Sequence, residues 1–306
     1  MGLNLFIEPN APPCSWEEFC RKKPAFAIAL DGYVNEPPRF DIAAPRINFN
    51  HHEEVDRLAT RSTCAQVLIA IRQGLFDRFQ DGGKPKADIY ANDCDEDICL
   101  SWFLFKNYGL VENALPPAIN RLVVIEDLMD ATAGAYPLPI TLSTLRELAW
   151  IFEPYRKFRV SGGLERKDQS EYLGIINDVF SRIDRHMNNA GESIALDIRY
   201  KKIGGGSCWS MIQETGSHAR TGAYNDGIRA YVSVRKFSEK HWVYTVGKMS
   251  PFVSFDITKI IGLLNKAEGN RDDKWGGANT IGGSPRVKGS RLSPEAVEKI
   301  INDALG

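Results

Sequence analysis

A chain of 306 residues with 43% hydrophobic and 25% charged side chains has enough apolar surface for two cores of ordinary size. Its formal net charge of −1 argues against a dedicated binder of long duplex DNA, while leaving room for a local groove that takes a short nucleic acid. No apolar run approaches the roughly 20 residues that span a bilayer, and the start MGLNLFIEPNAPPC lacks the basic segment and long apolar stretch of a secretory signal.

The first half alternates strand-like and helical patterns, as a parallel α/β sheet requires. Ala25 to Leu30 is a continuous apolar run ending in Asp31-Gly32, the profile of a buried strand. Arg46 to Asn50 reads as a second strand, ending at His51-His52. Ser62 or Thr63 then caps a helix whose apolar positions from Val67 to Phe79 repeat at helical spacing, with Gly82-Gly83 as its stop. Ala87 to Ala91 is a third strand, followed by acidic residues and a helix over Ile98 to Phe105. Asn120 to Met129 fits strand or helix and is read as helix. Residues 141 to 189 are helical with a break at Ser161-Gly162-Gly163, and the stripe Leu173, Ile176, Val179, Phe180, Ile183 and Met187 is a core face.

Gly204-Gly205-Gly206, read as a hinge, opens a strand-rich segment in which 229–234 and 241–246 make a hairpin pair. A helix over 257–266, a glycine-rich stretch over 276–289 and a helix capped by Ser293 with Pro294 at its first position close the chain. The boundaries this predicts are 1–140, 141–195 and 196–306, the middle part being a helical connector. Six cysteines (Cys14, Cys20, Cys64, Cys94, Cys99, Cys208) form no CxxC pair, so free thiols in a reducing, cytoplasmic setting are expected.

Two features carry chemistry. The chain has only five histidines, and two of them, His51 and His52, stand together at a strand's C-terminal end, where open α/β sheets place ligands. Asp93, Asp95, Glu96 and Asp97 put four carboxylates into five residues at a helix start. One or two would serve as caps favoured by the helix dipole; three aspartates at alternate positions repel one another unless cations neutralise them. Hard divalent cations take such oxygens, and imidazole nitrogens extend the preference towards manganese, iron or zinc.

These residues bear a family resemblance. His51-His52, with Ala59 to Ala65 downstream, resembles the Asp-His-His motif of the DHH phosphoesterases, and Asp93 to Ser101 resembles their first motif, an Asp-x-Asp pair entering a helix. Asp31 resembles the second motif and Asp130 the fourth, and Trp275 to Arg286 is similar to the glycine-rich signature of the associated second domain. Here the first motif follows the His-His pair, which implies a circular permutation, and Asn50 replaces the Asp of the triplet, from where it could orient a histidine by accepting a hydrogen bond.

The resemblance implies an α/β parallel-sheet catalytic domain, the helical connector and a smaller α/β C-terminal domain. It implies Asp31, His51, Asp93, Asp95, Asp97 and Asp130 as ligands to two manganese ions, or magnesium, with His52 and Asp95 in catalytic roles. Gly282, Gly283, Ser284 and Arg286 would hold substrate. The implied activity is hydrolysis of a short oligonucleotide or dinucleotide by a protein away from membranes, with a homodimer compatible. The alternatives are a small phosphoanhydride substrate and a nucleotide-binding module without chemistry.

Overall fold

A computed structural model describes residues 2–41, 43–114, 116–132, 134, 136–269, 273–285 and 288–306. The chain divides into two compact units, residues 1–131 with 143–195, and residues 132–142 with 196–306. The helices over 143–187, expected as a connector, contribute Leu148, Trp150, Phe158, Ile176, Val179 and Ile183 to the core of the first unit.

In that unit β1 (Leu3–Ile7), α1 (Trp16–Lys22), β2 (Ala27–Leu30), β3 (Arg39–Asp41) and β4 (Arg46–Phe49) come first. They are followed by α2 (Thr63–Arg72), α3 (Leu75–Arg78), the short strands β5 (Gln80–Asp81) and β6 (Lys84–Pro85), and β7 (Ala87–Ala91). The sheet order is β1-β7-β2-β4-β3, parallel throughout except for β3. β7 is therefore interior and lies beside β2, the strand that ends at Asp31. Strand alternation splits β2 between two cores. Ile28 and Leu30 join the large helical layer, while Ala27 and Ala29 meet Trp16 and Phe19 of α1. Each of the larger side chains, fully buried, contributes about 1.5–3 kcal/mol.

The helix capped by Ser62 stops earlier than its periodicity suggests. Gly74 takes a left-handed φ of 88°, which ends α2 and starts α3, and Phe76 and Phe79 stay in the core through this restart. The remaining helices are α4 (Glu96–Lys106), α5 (Tyr108–Asn113), α6 (Pro117–Ala131), α7 (Ser143–Ile151), α8 (Glu153–Val160), α9 (Gly163–Arg166) and α10 (Gln169–Met187). The break at 161–163 is as expected: Gly162 is left-handed, and a Cβ on Gly163 would meet the Phe158 ring. Among the described residues no helix is long and apolar enough to cross a membrane.

The second unit contains β8 (Tyr200–Gly205), β9 (Ser210–Glu214), α11 (Ala219–Asn225), β10 (Ala230–Ser238) and β11 (His241–Lys248). It continues with α12 (Ile257–Glu268), β12 (Gly276–Gly277), β13 (Ile281–Gly283) and α13 (Pro294–Leu305). Its mixed sheet runs β12-β13-β11-β10-β9-β8. Val232, Val246 and Tyr244 pack with α12 and α13 on one face, and Ile212 and Tyr231 with α11 on the other. Gly204 to Gly206 prove to be packing glycines rather than a hinge. A Cβ on Gly205 would strike the Trp209 carbonyl, and one on Gly206 the side chains of Asn302 and Trp209.

Glu268 ties this unit together. Its side chain is 3% exposed, and its carboxylate accepts from Ser290 Oγ (2.5 Å), the Arg291 backbone N–H (2.8 Å) and Trp275 Nε1 (3.2 Å). Burial pushes the carboxyl up, but these donors outweigh it and hold it below its usual value of 4.5. Such a group stabilises the fold fully above the unfolded value and loses that contribution as pH falls through the folded one. Glu268→Gln should cost about 1–3 kcal/mol in urea unfolding at pH 7, and the gap from the parent should shrink below about pH 4.

Candidate metal centre

Three adjacent parallel strands, β7, β2 and β4, deliver their C-terminal ends to one edge, where such sheets bind ligands. The Asp31 N–H extends the β2–β4 ladder by donating to the Phe49 carbonyl at 2.9 Å, which sets Asp31 beside the turn that carries the histidines. Asp31 itself has φ 47° and Gly32 φ 78°, a left-handed corner that Asp tolerates and that turns its carboxylate across the strand ends.

His51 is fully buried. Its Nε2 lies 2.7 Å from Asp130 Oδ2, 3.3 Å from Asp31 Oδ1 and 3.8 Å from Asp97 Oδ2. His52 Nε2 lies 2.8 Å from the same Asp31 oxygen, which also accepts from Thr63 Oγ1 at 3.1 Å. Two groups of side chains thus have ligand atoms close enough to share a cation: Asp31, His51 and His52, and His51, Asp97 and Asp130. Asp93 and Asp95 belong to neither group, although their charges are felt there. Asp93 Oδ1 accepts from the Cys94 N–H, and Asp95 is the N-cap of α4, accepting from the Ile98 N–H at 3.0 Å.

The electrostatics follow from burial. Desolvation pushes Asp95 well above the usual carboxylate range, and Asp31, Asp93 and Asp97 push the same way. Asp97 is raised to about 7 by burial and by Asp130 and Asp31, and Asp93 to about 6, mainly by burial. Burial also disfavours charge on Asp31 and His51. The pull of His52 and His51 nevertheless holds Asp31 well below its ordinary value, and Asp130 with Asp31 lifts His51 to about 11. Protons on the histidines therefore supply positive charge where a divalent cation would supply more.

One further observation is compatible with a cation. His51 Nδ1 and Nε2 and Asp130 Oδ2 are buried with no hydrogen-bond partner among the described residues. The 2.7 Å separation of Nε2 and Oδ2 has the length of a hydrogen bond without its alignment. Imidazole nitrogen and carboxylate oxygen brought this close are the donor set of a hard or borderline divalent cation. Asp31, His51, Asp97 and Asp130 could hold such an ion.

No protein-family model matches the chain, and no curated protein matches it either.

Several residues that shape the site have no motif in the sequence. Arg57 Nη2 lies 2.5 Å from His52 Nδ1, its Nη1 donates to the Asp130 carbonyl at 3.2 Å, and its buried Nε has no partner among the described residues. Asp127 accepts from the Ser62 N–H and from Arg61, both at 2.7 Å. Glu126, Asp127 and Asp130 share helical spacing on α6, a signal available once 120–129 is read as helix.

The expected substrate residues are strand rather than open loop. Gly282 and Gly283 pair with β11 on one side and β12 on the other, and a Cβ on Gly282 would press on Ile261. Ser284 Oγ accepts from the Tyr244 N–H. Arg286 lies outside the described residues.

Asn50 accepts hydrogen bonds from the histidines, as expected, but from their backbone. It does not meet a histidine ring. Its Oδ1 accepts from the backbone N–H groups of His51 (2.8 Å) and His52 (3.2 Å). Its Nδ2 donates to the carbonyls of Val34 and Glu36 and to Glu53 Oε2. A carboxylate there would face two carbonyls and another carboxylate. Asn50→Asp should therefore destabilise the first unit by about 1–3 kcal/mol and weaken cation binding, read by thermal melting and manganese titration; tighter binding would return Asn50 to a role behind a histidine ring.

Proposed function

We propose that the chain is a divalent-cation-dependent phosphoesterase of DHH type, permuted in its catalytic domain, acting on short oligonucleotides or dinucleotides. The observation that carries this reading is the convergence of Asp31, His51, His52, Asp97 and Asp130 from two strand ends and two helices onto one cluster centred on the buried His51. The interior place of β7 beside β2 is the arrangement a permuted DHH sheet would need. Asp31, His51, Asp97 and Asp130 would hold the ions, two per chain with manganese preferred.

Such ions supply Lewis acidity toward a phosphoryl oxygen and a more acidic water. The chain's own residues orient and move protons. Asp31 holds the His52 ring at Nε2 while Arg57 abuts Nδ1, so the ring is fixed from both sides. His52 is the more open of the pair, with 32% of its side chain exposed, and would contact a cation or the scissile phosphate. Arg57 adds a permanent positive charge next to where a phosphate would sit.

A non-catalytic nucleotide-binding module is the second reading. It is favoured by the absence of Asp93 and Asp95 from both ligand groups, which leaves donors for one ion better grouped than for two.

A hydrolysis screen with manganese over dinucleotides, short RNA and DNA, and pyrophosphate tests the reading, alongside metal content per chain. Turnover with about two ions per chain is expected, and Asp31→Asn should lower manganese affinity by at least the roughly 10–100-fold typical of changes behind a ligand. No turnover by a folded, metal-loaded protein that binds a nucleotide would favour the second reading. Binding should also release protons, because ligands must be deprotonated. His51 gives one up at any neutral pH, whereas Asp97, raised to about 7, gives one up only on the acid side. Calorimetry in buffers of different ionisation enthalpy should find more protons released at about pH 6 than at about pH 8.

A further inference from the structure

The hairpin of β10 and β11 extends past the sheet that supports it. β10 pairs with β9 only through Tyr231, Ser233 and the residue between them, yet it runs on to Ser238 paired with β11. From Val234 outward the other edge of β10 is paired with no strand among the described residues. This arm carries three cations and one anion in six residues, Arg235 to Lys240, in a chain whose net charge is −1.

The side chains of Arg235, Lys236 and Lys240 are exposed and make no ion pair or hydrogen bond among the described residues. Phe237 sits in the bulge between Lys236 and Ser238 with half its surface (52%) in water, and Trp242, opposite Lys236, is half-buried. Charged residues on an open strand edge also serve to discourage edge-to-edge pairing. That role needs charge alone and is poorly served by an exposed phenyl ring in the middle of the edge.

We infer that this arm is a contact surface for single-stranded nucleic acid, with Arg235, Lys236 and Lys240 on phosphates and Phe237 stacked on a base. Unpaired cations interleaved with an accessible aromatic ring are the two components of such contacts. One exposed ring offers little apolar area for a membrane. The inference needs no cation and stands apart from the phosphoesterase reading.

Fluorescence anisotropy of the full chain with a labelled oligothymidylate of about 20 nucleotides, in EDTA over a salt series, tests it independently of any hydrolysis. The parent should bind, and Arg235→Ala/Lys236→Ala/Lys240→Ala should flatten the log–log salt slope by about 2, three phosphate contacts at roughly 0.7 each. Phe237→Ala should weaken binding by about 5- to 150-fold with the slope unchanged. All of these side chains are exposed, and melting curves superimposable on the parent's confirm folding. No binding tighter than about 100 µM, an unchanged slope in the triple variant, or no effect of Phe237→Ala would overturn the inference, as would arm-dependent capture of phosphatidylserine vesicles in place of the oligonucleotide.

Discussion

Asp97 reaches from the first turn of α4 to the first turn of α2, where the N–H groups of Thr63 and Cys64 each donate to one of its oxygens at 2.6 Å. The start of a helix leaves such donors free and carries partial positive charge, so a buried carboxylate is stabilised there. Asp127 takes the neighbouring Ser62 N–H from the side of α6. Three helices are thereby pinned at one point, and the faces they turn inward are those that hold Asp97 and Asp130 against His51. The clasp works against the desolvation and like charge that lift Asp97 to about 7, so it holds most firmly when something positive also stands beside it.

The same dependence explains why the site is built from strand ends and helix starts together. Strand ends alone bring Asp31 and His51 close, because the β2–β4 register aligns Leu30 with Phe49. They leave the carboxylates unopposed on the helical side. The helix starts supply backbone donors that tolerate negative charge, and Arg57 supplies a cation from the loop between. Neither set is sufficient: carboxylates packed at these distances without compensation would protonate or open the structure.

Much of the first unit was legible in sequence because its signals are local. Apolar runs ending in Asp31-Gly32 and in His51-His52, and the Ser62 cap, each state their own structure, and the caps and strand ends lie within a residue or two of the expected places. What escaped were effects that depend on partners far along the chain. β1 lies 84 residues from the strand it pairs with, and nothing in Leu3 to Ile7 announces that pairing. Asn50 looked like a residue that orients a histidine ring because its neighbours are histidines, whereas its direction is set by carbonyls of residues 34 and 36. Gly282 and Gly283 had the composition of a loop, and only the two strands flanking them make them a sheet interior. Arg57 has no pattern at all; the ring of His52 gives it meaning.

The pairing of β1 with β7 also sets a timetable for the nascent chain. At the roughly 5–20 residues per second of synthesis, about 4–17 s separate the emergence of β1 from that of its neighbour. Until then β2 and β4 can join, but no strand links β1 to them, and β1 is left with apolar Leu3, Leu5 and Ile7 and nothing to rest on. Asp130 arrives later still, so the charged cluster is the last part of the first unit's sheet edge to be complete. Until Asp130 is made, the chain holds the histidine pair with Asp31 and Asp97 but without the carboxylate that lies nearest His51, and it is over this interval that holding chaperones would have most to do.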